Sequence, residues 1–219
     1  LPVYALVVVG LALVLLTMVF RSILVPIKAT VGFLLSVGVS FGATVAVFQW
    51  GWLAGALGVE QTGPILSILP ILLLGILFGL AMDYEVFLVS RIREDYVRSG
   101  DAGLGITEGV RHSSRVIVAA GLIMVAVFTA FVFTPDANVK MIGLALAVGV
   151  AADAFLVRMT IVPAVLTLLG DRAWRLPRWL DRIIPDIDIE GAALEAHLAE
   201  EPAAVAADDP ADDRELVPA

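Results

Sequence analysis

Asp83 and Tyr84 are the residues of this sequence best suited to chemistry. They stand in the apolar stretch GILFGLAMDYEVFLVSRIRE. A charged side chain at the centre of a membrane helix costs about 2.5–3.5 kcal/mol and usually marks a functional site. Removal from water disfavours the charged form of a carboxyl group, which can ionise again when water or a cation reaches it. Because the phenol of Tyr84 can donate to that carboxyl or extend a proton path, the pair predicts an intramembrane proton relay.

The glycines before Asp83 predict that its helix face packs against a neighbour. Gly75, Gly79 and Asp83 follow one another at intervals of four residues and so share one helix face. Small residues at this spacing are common where membrane helices touch. Asp83 lies eight residues before Arg91, about 12 Å of helix, which places it away from bulk water. The alternative interpretation is a structural carboxyl group satisfied by neighbouring helices.

Three further charges lie in or beside apolar stretches. Glu85 projects roughly opposite Asp83 and nearer the following basic segment, so we expect it to pair with an Arg at the membrane interface. Arg158 follows Asp153 by five residues, a spacing that is not ideal for a pair within one α-helix, although its long side chain can reach back. A structural charge pair and a role in coupling both remain open for these two residues.

The composition predicts an integral membrane protein, because 60% of the 219 residues are hydrophobic and only 16% are charged. Five apolar stretches are long enough to cross a bilayer as helices, so the predicted fold is an all-α five-helix transmembrane bundle over residues 1–170. The first stretch lacks the flanking signals of a signal peptide, and Pro163 should bend or end the last. The predicted spans are 1–20, 27–50, 65–91, 114–134 and 139–169.

The basic residues predict the direction of the helices. Ten Lys and Arg residues lie in alternate connections and after the last span, whereas the opposite connections hold only Lys140. Because cytoplasmic loops are rich in Lys and Arg, we expect an extracytoplasmic start and a cytoplasmic C-terminal tail at the cell membrane. An odd number of spans is unusual for a transporter built from paired repeats, so we expect a piece of a larger transporter or a chain that acts with a second polypeptide.

The C-terminal residues predict two segments outside the bundle. Residues 171–190 interleave Arg with Trp174 and Trp179, which is typical of an interfacial juxtamembrane segment. Residues 191–219 hold eight acids, one base and few large apolar residues, and we interpret them as a disordered acidic tail. With no Cys and only His112 and His197, no metal site is expected, and neither a cofactor beyond protons nor a nucleic-acid partner is predicted.

Three motifs in order resemble the C-terminal membrane domain of the MMPL (mycobacterial membrane protein large) family in the resistance-nodulation-division superfamily. They are VFRSILVPIKA, GLAMDYEVFLVSRIREDY and DAFLVRMTIVPAVLTLLGDRAWRLPRWLDR, and the resemblance covers roughly residues 1–190. It implies a transporter of two halves that uses the proton gradient to export lipids or other hydrophobic compounds. It also implies that Asp83 and Tyr84 are one half of a paired relay, whose partner lies in an N-terminal half that this sequence does not contain. The expected partners are thus membrane lipids, a hydrophobic substrate and that other half.

Two other functions compete with a secondary active transporter. A membrane module that senses lipid or scaffolds a partner would have the same spans. An intramembrane aspartyl protease could use Asp83 and Asp153 from two spans, since paired carboxyl groups can share a proton. However, Ala151 and Ala152 stand where that enzyme family's Gly-x-Gly-Asp motif would be needed, so we predict that the chain is not an enzyme.

Overall fold

Helices form nearly all of the described structure. The computed structural model describes residues 2–20, 22–59 and 61–170, so the predicted juxtamembrane segment and acidic tail lie outside the described residues. Within these ranges there are five helices and no strand, which confirms the all-helical prediction. The helices are α1 (Pro2–Phe20), α2 (Leu24–Phe48), α3 (Leu69–Ser99), α4 (Ala102–Val132) and a fifth helix (Ala137–Leu169). The fifth comprises α5 (Ala137–Ala151), a π-helical segment (Ala152–Ile161) and α6 (Val162–Leu169).

These helices make the chain a multi-pass membrane protein. In the described part, α2, α3, α4 and the fifth helix are each long and apolar enough to cross a membrane, and α1 contributes a shorter apolar stretch, Leu6–Met18. Large apolar side chains remain exposed along α1, α2 and α4, among them Leu6, Val31 and Ile123. Such continuous apolar surface is expected of helices that face lipid or another membrane segment.

Two helices extend beyond the apolar runs that predicted them. α3 continues to Ser99 rather than ending near 91, and α4 begins at Ala102 rather than near 114. Between them, Gly100 adopts the left-handed conformation (φ +70°) that ends α3. The Asp101 side chain then accepts hydrogen bonds from the Gly103 and Leu104 amides and caps α4. The apolar runs therefore did not predict where these two helices end and begin.

Close backbone contact joins α3 to α4 at this polar end. A Cβ on Gly109 would lie 2.7 Å from the Cα of Ile92, so only glycine allows the two helices to approach so closely here. The Arg93 side chain donates to the carbonyl of Phe20 and so satisfies the C-terminal end of α1. We call this end of the bundle, with the α1–α2 and α3–α4 connections, the basic end, and the opposite end the loop end.

The core of the bundle is two apolar clusters, one toward each end. The cluster at the basic end includes Phe20, Leu88 and Ile92, and the cluster at the loop end includes Phe33 and Leu73. α2, α3 and the fifth helix each also contribute buried polar or charged residues to this interior. The fifth helix packs against α2, α3 and α4, and therefore connects its own buried polar residues to the rest of the bundle.

Lys140 binds the connection between α2 and α3 at the loop end. Its ammonium donates to the carbonyls of Leu57 and Gly58 at 2.7 and 2.8 Å, and the residue is only 8% exposed. Replacing Lys140 with Met keeps the apolar stem but leaves both carbonyls without this donor. We expect the free energy of unfolding of the purified protein to fall by about 1–3 kcal/mol. Asn138→Ala, at an exposed neighbour, is the control and should change it little; equal unfolding of the two variants would contradict this role.

Candidate functional site

Asp83 lies on a face of α3 that the described chain leaves uncovered. Its side chain is exposed, and no hydrogen bond or ion pair joins it to the described residues. Gly79, one turn earlier on that face, is also exposed, and a Cβ there would meet no atom within 4 Å. Farther along, a Cβ on Gly75 would lie 2.9 Å from the Tyr4 hydroxyl of α1. Of the two predicted packing glycines, only Gly75 therefore has a close neighbour within the described chain.

Tyr84 points in a different direction from Asp83. Successive residues of an α-helix are about 100° apart around its axis, and Tyr84 turns its half-buried ring toward the fifth helix. There the guanidinium carbon of Arg158 lies 5.3 Å from the centre of the ring, a cation–π contact. The two predicted relay residues thus face opposite environments, one the uncovered surface and one the interior.

The π-helical segment explains how Asp153 pairs with Arg158. Arg158 Nε donates to Asp153 Oδ2 at 2.7 Å, and Arg158 is only 1% exposed. The i→i+5 hydrogen-bond pattern of a π-helix stacks residues five apart, which an α-helix does not. Pro163 follows this segment near the start of α6 and has no N–H with which to continue an α-helical ladder. The helix therefore does not end at this proline but changes its hydrogen-bond register before it.

Arg158 also ties the fifth helix to α3. Besides its bond to Asp153, the guanidinium donates to the carbonyl of Ala81, two residues before Asp83. A carbonyl acceptor, a carboxylate and the Tyr84 ring thus contact a fully buried cation, while its Nη1 has no hydrogen-bond partner among the described residues. Any change of conformation in α3 around Asp83 would act directly on these contacts.

A second buried ion pair joins α2 to α3. Lys28 Nζ lies 2.8 Å from Glu85 Oε1, and both side chains are 5% exposed. The geometry is not that of a hydrogen bond, and neither atom has a hydrogen-bond partner among the described residues. The prediction that Glu85 pairs with an Arg at the interface is therefore wrong. Since Glu85 lies about 200° around the helix from Asp83, it turns inward when Asp83 faces outward, and Lys28 is the base it meets there.

Lys28, Glu85, Asp153 and Arg158 together form what we call the buried charge cluster. Two positive and two negative groups give it no formal net charge, so its cost of burial is offset by pairing within the bundle. In contrast, Asp83, which lies on α3 like Glu85, has no such partner in the described chain. Asp153 pairs with Arg158, whereas Asp83 has no partner in the described chain. The two carboxyl groups are therefore not joined in the shared-proton arrangement that an aspartyl protease would need.

Sequence reasoning missed Lys28 and a polar stripe on α2. Lys28 was assigned only to the set of bases that indicates orientation. Ser36, Ser40 and Thr44 recur every four residues and are all buried; the Ser36 hydroxyl lies 3.5 Å from Asp153 Oδ1, and that of Ser40 donates to the carbonyl of Ala145. The signal that could have found them is their common helix face within an otherwise apolar span.

Comparison with known proteins identifies the family. The model of the MMPL family matches residues 2–184. Membrane protein YdfJ of Bacillus subtilis is 54% identical over 193 residues, which cover 88% of this chain and 27% of YdfJ. Two proteins of Mycolicibacterium smegmatis also match: the mycolic acid-containing lipids exporter MmpL11 is 42% identical, with 82% of this chain and 19% of that protein covered. The trehalose monomycolate exporter MmpL3 is 35% identical, with 84% and 18% covered.

The match therefore spans most of this chain but only about a fifth to a quarter of each of these relatives. Their shared match also agrees with the predicted resemblance, which rested on motifs in α1–α2, α3 and the fifth helix. Because the family model covers far more than half of the sequence, the chain belongs to the MMPL family of membrane transporters.

Proposed function

We propose that this chain is the C-terminal membrane part of an exporter of lipids or other hydrophobic compounds that is driven by the proton-motive force, with Asp83 and Tyr84 as its proton relay. The observation that carries the proposal is the position of Asp83: it is an intramembrane carboxyl group without a partner in the described chain, beside a buried cluster whose charges are all paired. An ionisable group of this kind in a membrane span is usually functional. Two relatives are named as lipid exporters.

The contacts around Arg158 provide a path by which protonation of Asp83 affects the fifth helix. Protonation of Asp83 removes its charge and so changes the cost of turning its face toward an apolar neighbour. Ala81 and Tyr84 flank Asp83 and both contact Arg158, so a shift of α3 would be transmitted to Asp153 and the fifth helix. One proton that crosses 100 mV releases about 2.3 kcal/mol, which is comparable with the energy of rearranging such buried contacts.

The remaining part of a longer protein, or a second chain, is the partner proposed for the uncovered Asp83 face. The relatives are several times longer than the matched region, so most of their mass lies outside it. Gly79 leaves room for a close helix–helix approach beside Asp83. A helix from that partner would shield the carboxyl group from lipid and provide the other half of the relay.

Proton movement by the complete protein in liposomes tests the proposal. With an imposed membrane potential, negative inside, we expect the internal pH reported by a trapped dye to fall faster than in empty liposomes. Collapse of the potential with an ionophore should remove the difference. Internal acidification that is indistinguishable from that of empty liposomes, from protein shown to be folded and inserted, would contradict proton coupling.

A further inference from the structure

The connection between α2 and α3 exposes three large apolar side chains at the loop end. Trp50, Trp52 and Leu53 are 66%, 63% and 72% exposed, and they fall within four consecutive residues. The two indole rings lie 5.7 Å apart, centre to centre, and form one exposed aromatic pair. We call residues 49–59 the tryptophan loop. None of its residues takes part in the proposed relay, so this apolar surface has no role in the function described above.

The tryptophan loop carries no charged side chain. Its sequence is QWGWLAGALGV, in which Gln49 is the only polar residue apart from the indole N–H groups of the two tryptophans. A turn in contact with water is usually built from Gly, Pro, Asn, Asp and Ser, with polar side chains on its surface. Exposed apolar surface that is concentrated in one place usually marks contact with a membrane or with another protein. The composition therefore predicts that these side chains have a partner.

The backbone of the tryptophan loop is suited to the membrane interface. Six of its amides donate to carbonyls of the last turn of α2 or of the loop itself, and they are those of Gln49, Trp50, Trp52, Ala54, Leu57 and Val59. The carbonyls of Leu57 and Gly58 accept from the buried ammonium of Lys140. Non-helical backbone is costly in a membrane where its polar groups are left unsatisfied. With these groups paired, the loop can enter the headgroup region, where water serves the remaining amides.

Leu53 has an unusual backbone conformation. Its φ is +57°, and among the described residues it is the only one other than glycine with a positive φ. Glycine is the usual residue in this left-handed region, because a side chain crowds the neighbouring carbonyl there. Such strained positions are found where the surroundings compensate for them, often at functional sites. The strained residue of this loop is thus also its most exposed large apolar one, which indicates a contact outside the described chain.

The position of the loop at the end of α2 favours a lipid surface as that contact. Trp50 continues an exposed or half-exposed face of α2, whose residues recur every three or four positions: Leu35, Val39, Gly42 and Ala46. This face is apolar throughout, as expected of a helix surface that faces lipid. Tryptophan is enriched where such helices meet the membrane–water interface, because its ring is apolar and its N–H group is polar.

We propose that the tryptophan loop is a membrane anchor, which inserts Trp50, Trp52 and Leu53 into the interface of the leaflet at the loop end. The indole rings lie at the level of the headgroups and donate to phosphate or ester oxygens, and Leu53 contacts the upper part of the acyl chains. Lys140 of the fifth helix binds the carbonyls of the same loop. The anchor therefore fixes the ends of α2 and of the fifth helix relative to the membrane surface.

Fluorescence quenching in the complete protein tests which environment surrounds Leu53. Leu53→Cys, in a background without other reactive cysteines, is labelled with an environment-sensitive fluorophore in phosphatidylcholine liposomes. We expect phosphatidylcholine brominated near the headgroup end of its acyl chains to quench this label about threefold more than the same label at the exposed Asn138, and iodide on both sides of the membrane to quench it little. Quenching by iodide but not by the brominated lipid would place the loop in water, and quenching by neither would place it under another part of the protein. Either result would overturn the proposal.

Removal of both indole rings tests whether they hold the loop in the interface. Trp50→Ala combined with Trp52→Ala should lower quenching of the label at position 53 by the brominated lipid to about half and raise quenching by iodide. Because both rings are exposed, the bundle should stay folded. Gln49→Ala is the matched control, since it changes an exposed neighbour and leaves both rings in place. Unchanged quenching in the double variant would contradict the anchor. Neither measurement involves proton movement, so the anchor and the proposed function can fail separately.

Discussion

Transport by the complete protein is expected to fall to the rate of empty liposomes when Asp83 is replaced by Asn. The substitution keeps the shape of the side chain but removes the group that can gain and lose a proton. Because Asp83 contacts no described residue through a hydrogen bond or ion pair, the change should not disturb the packing of this chain. We therefore expect normal insertion and an unchanged free energy of unfolding together with the loss of proton-driven export.

Asp83→Glu is the matched control for this experiment, since it retains a carboxyl group on the same helix face. It should keep a measurable part of the export rate, whereas Asp83→Asn should keep none. Both variants are compared at equal amounts of membrane-inserted protein. Export by Asp83→Asn at the unsubstituted rate would show that the proton does not pass through this residue.

The apolar helices, and the helix face that Asp83 shares with Gly75 and Gly79, could be predicted from the sequence because they depend on local patterns. Long apolar runs must form helices in lipid, and Gly75, Gly79 and Asp83 share a face at any helix orientation. The helix ends of α3 and α4 were not accessible in this way. There the chain continues as helix in polar sequence, with Arg91 and Glu94 paired at i,i+3, so the hydropathy signal stops before the helix does.

The ion pairs of the buried charge cluster could not be predicted from this sequence alone. Glu85 and Lys28 are 57 residues apart, and nothing in either local pattern indicates that α2 brings them together. Arg91 was nearer in sequence and was therefore the expected type of partner. For Asp153 and Arg158 the local signal was present but ambiguous: a spacing of five with a later Pro163 is unfavourable in an α-helix and favourable in a π-helix.

The contrast between Asp83 and the cluster has a physical consequence for coupling. The charges of the cluster are paired by contacts of 2.7–2.8 Å, whereas Asp83 has no such contact in the described chain. Arg158 lies between these two kinds of group, since it binds Asp153 and contacts Ala81 and Tyr84 on the helix that carries Asp83. The free energy that the Asp153–Arg158 ion pair contributes to folding therefore distinguishes a structural role of these two residues from a role in coupling.

Replacing Arg158 with Met is expected to lower the free energy of unfolding by about 3–5 kcal/mol, because it leaves the Asp153 carboxylate buried without its partner. Asp153→Asn alone should also be destabilising, since it leaves the guanidinium without a carboxylate. The double variant should recover much of the loss, because no unpaired charge then remains in this pair, and the coupling energy should exceed about 1 kcal/mol. Reversible denaturation of the complete protein in mixed micelles measures all three values.

Arg111→Met is the matched control for these variants. Arg111 pairs with Glu108 at 3.5 Å, with side chains 75% and 43% exposed, so the same substitution there should cost less than about 1 kcal/mol. Additive effects at Asp153 and Arg158 would contradict a stabilising buried pair. If the double variant regains stability but not export, the pair is required for coupling as well as for packing. If it regains both, Asp153 and Arg158 hold α3 and the fifth helix together, and proton transfer depends on Asp83 and Tyr84 without them.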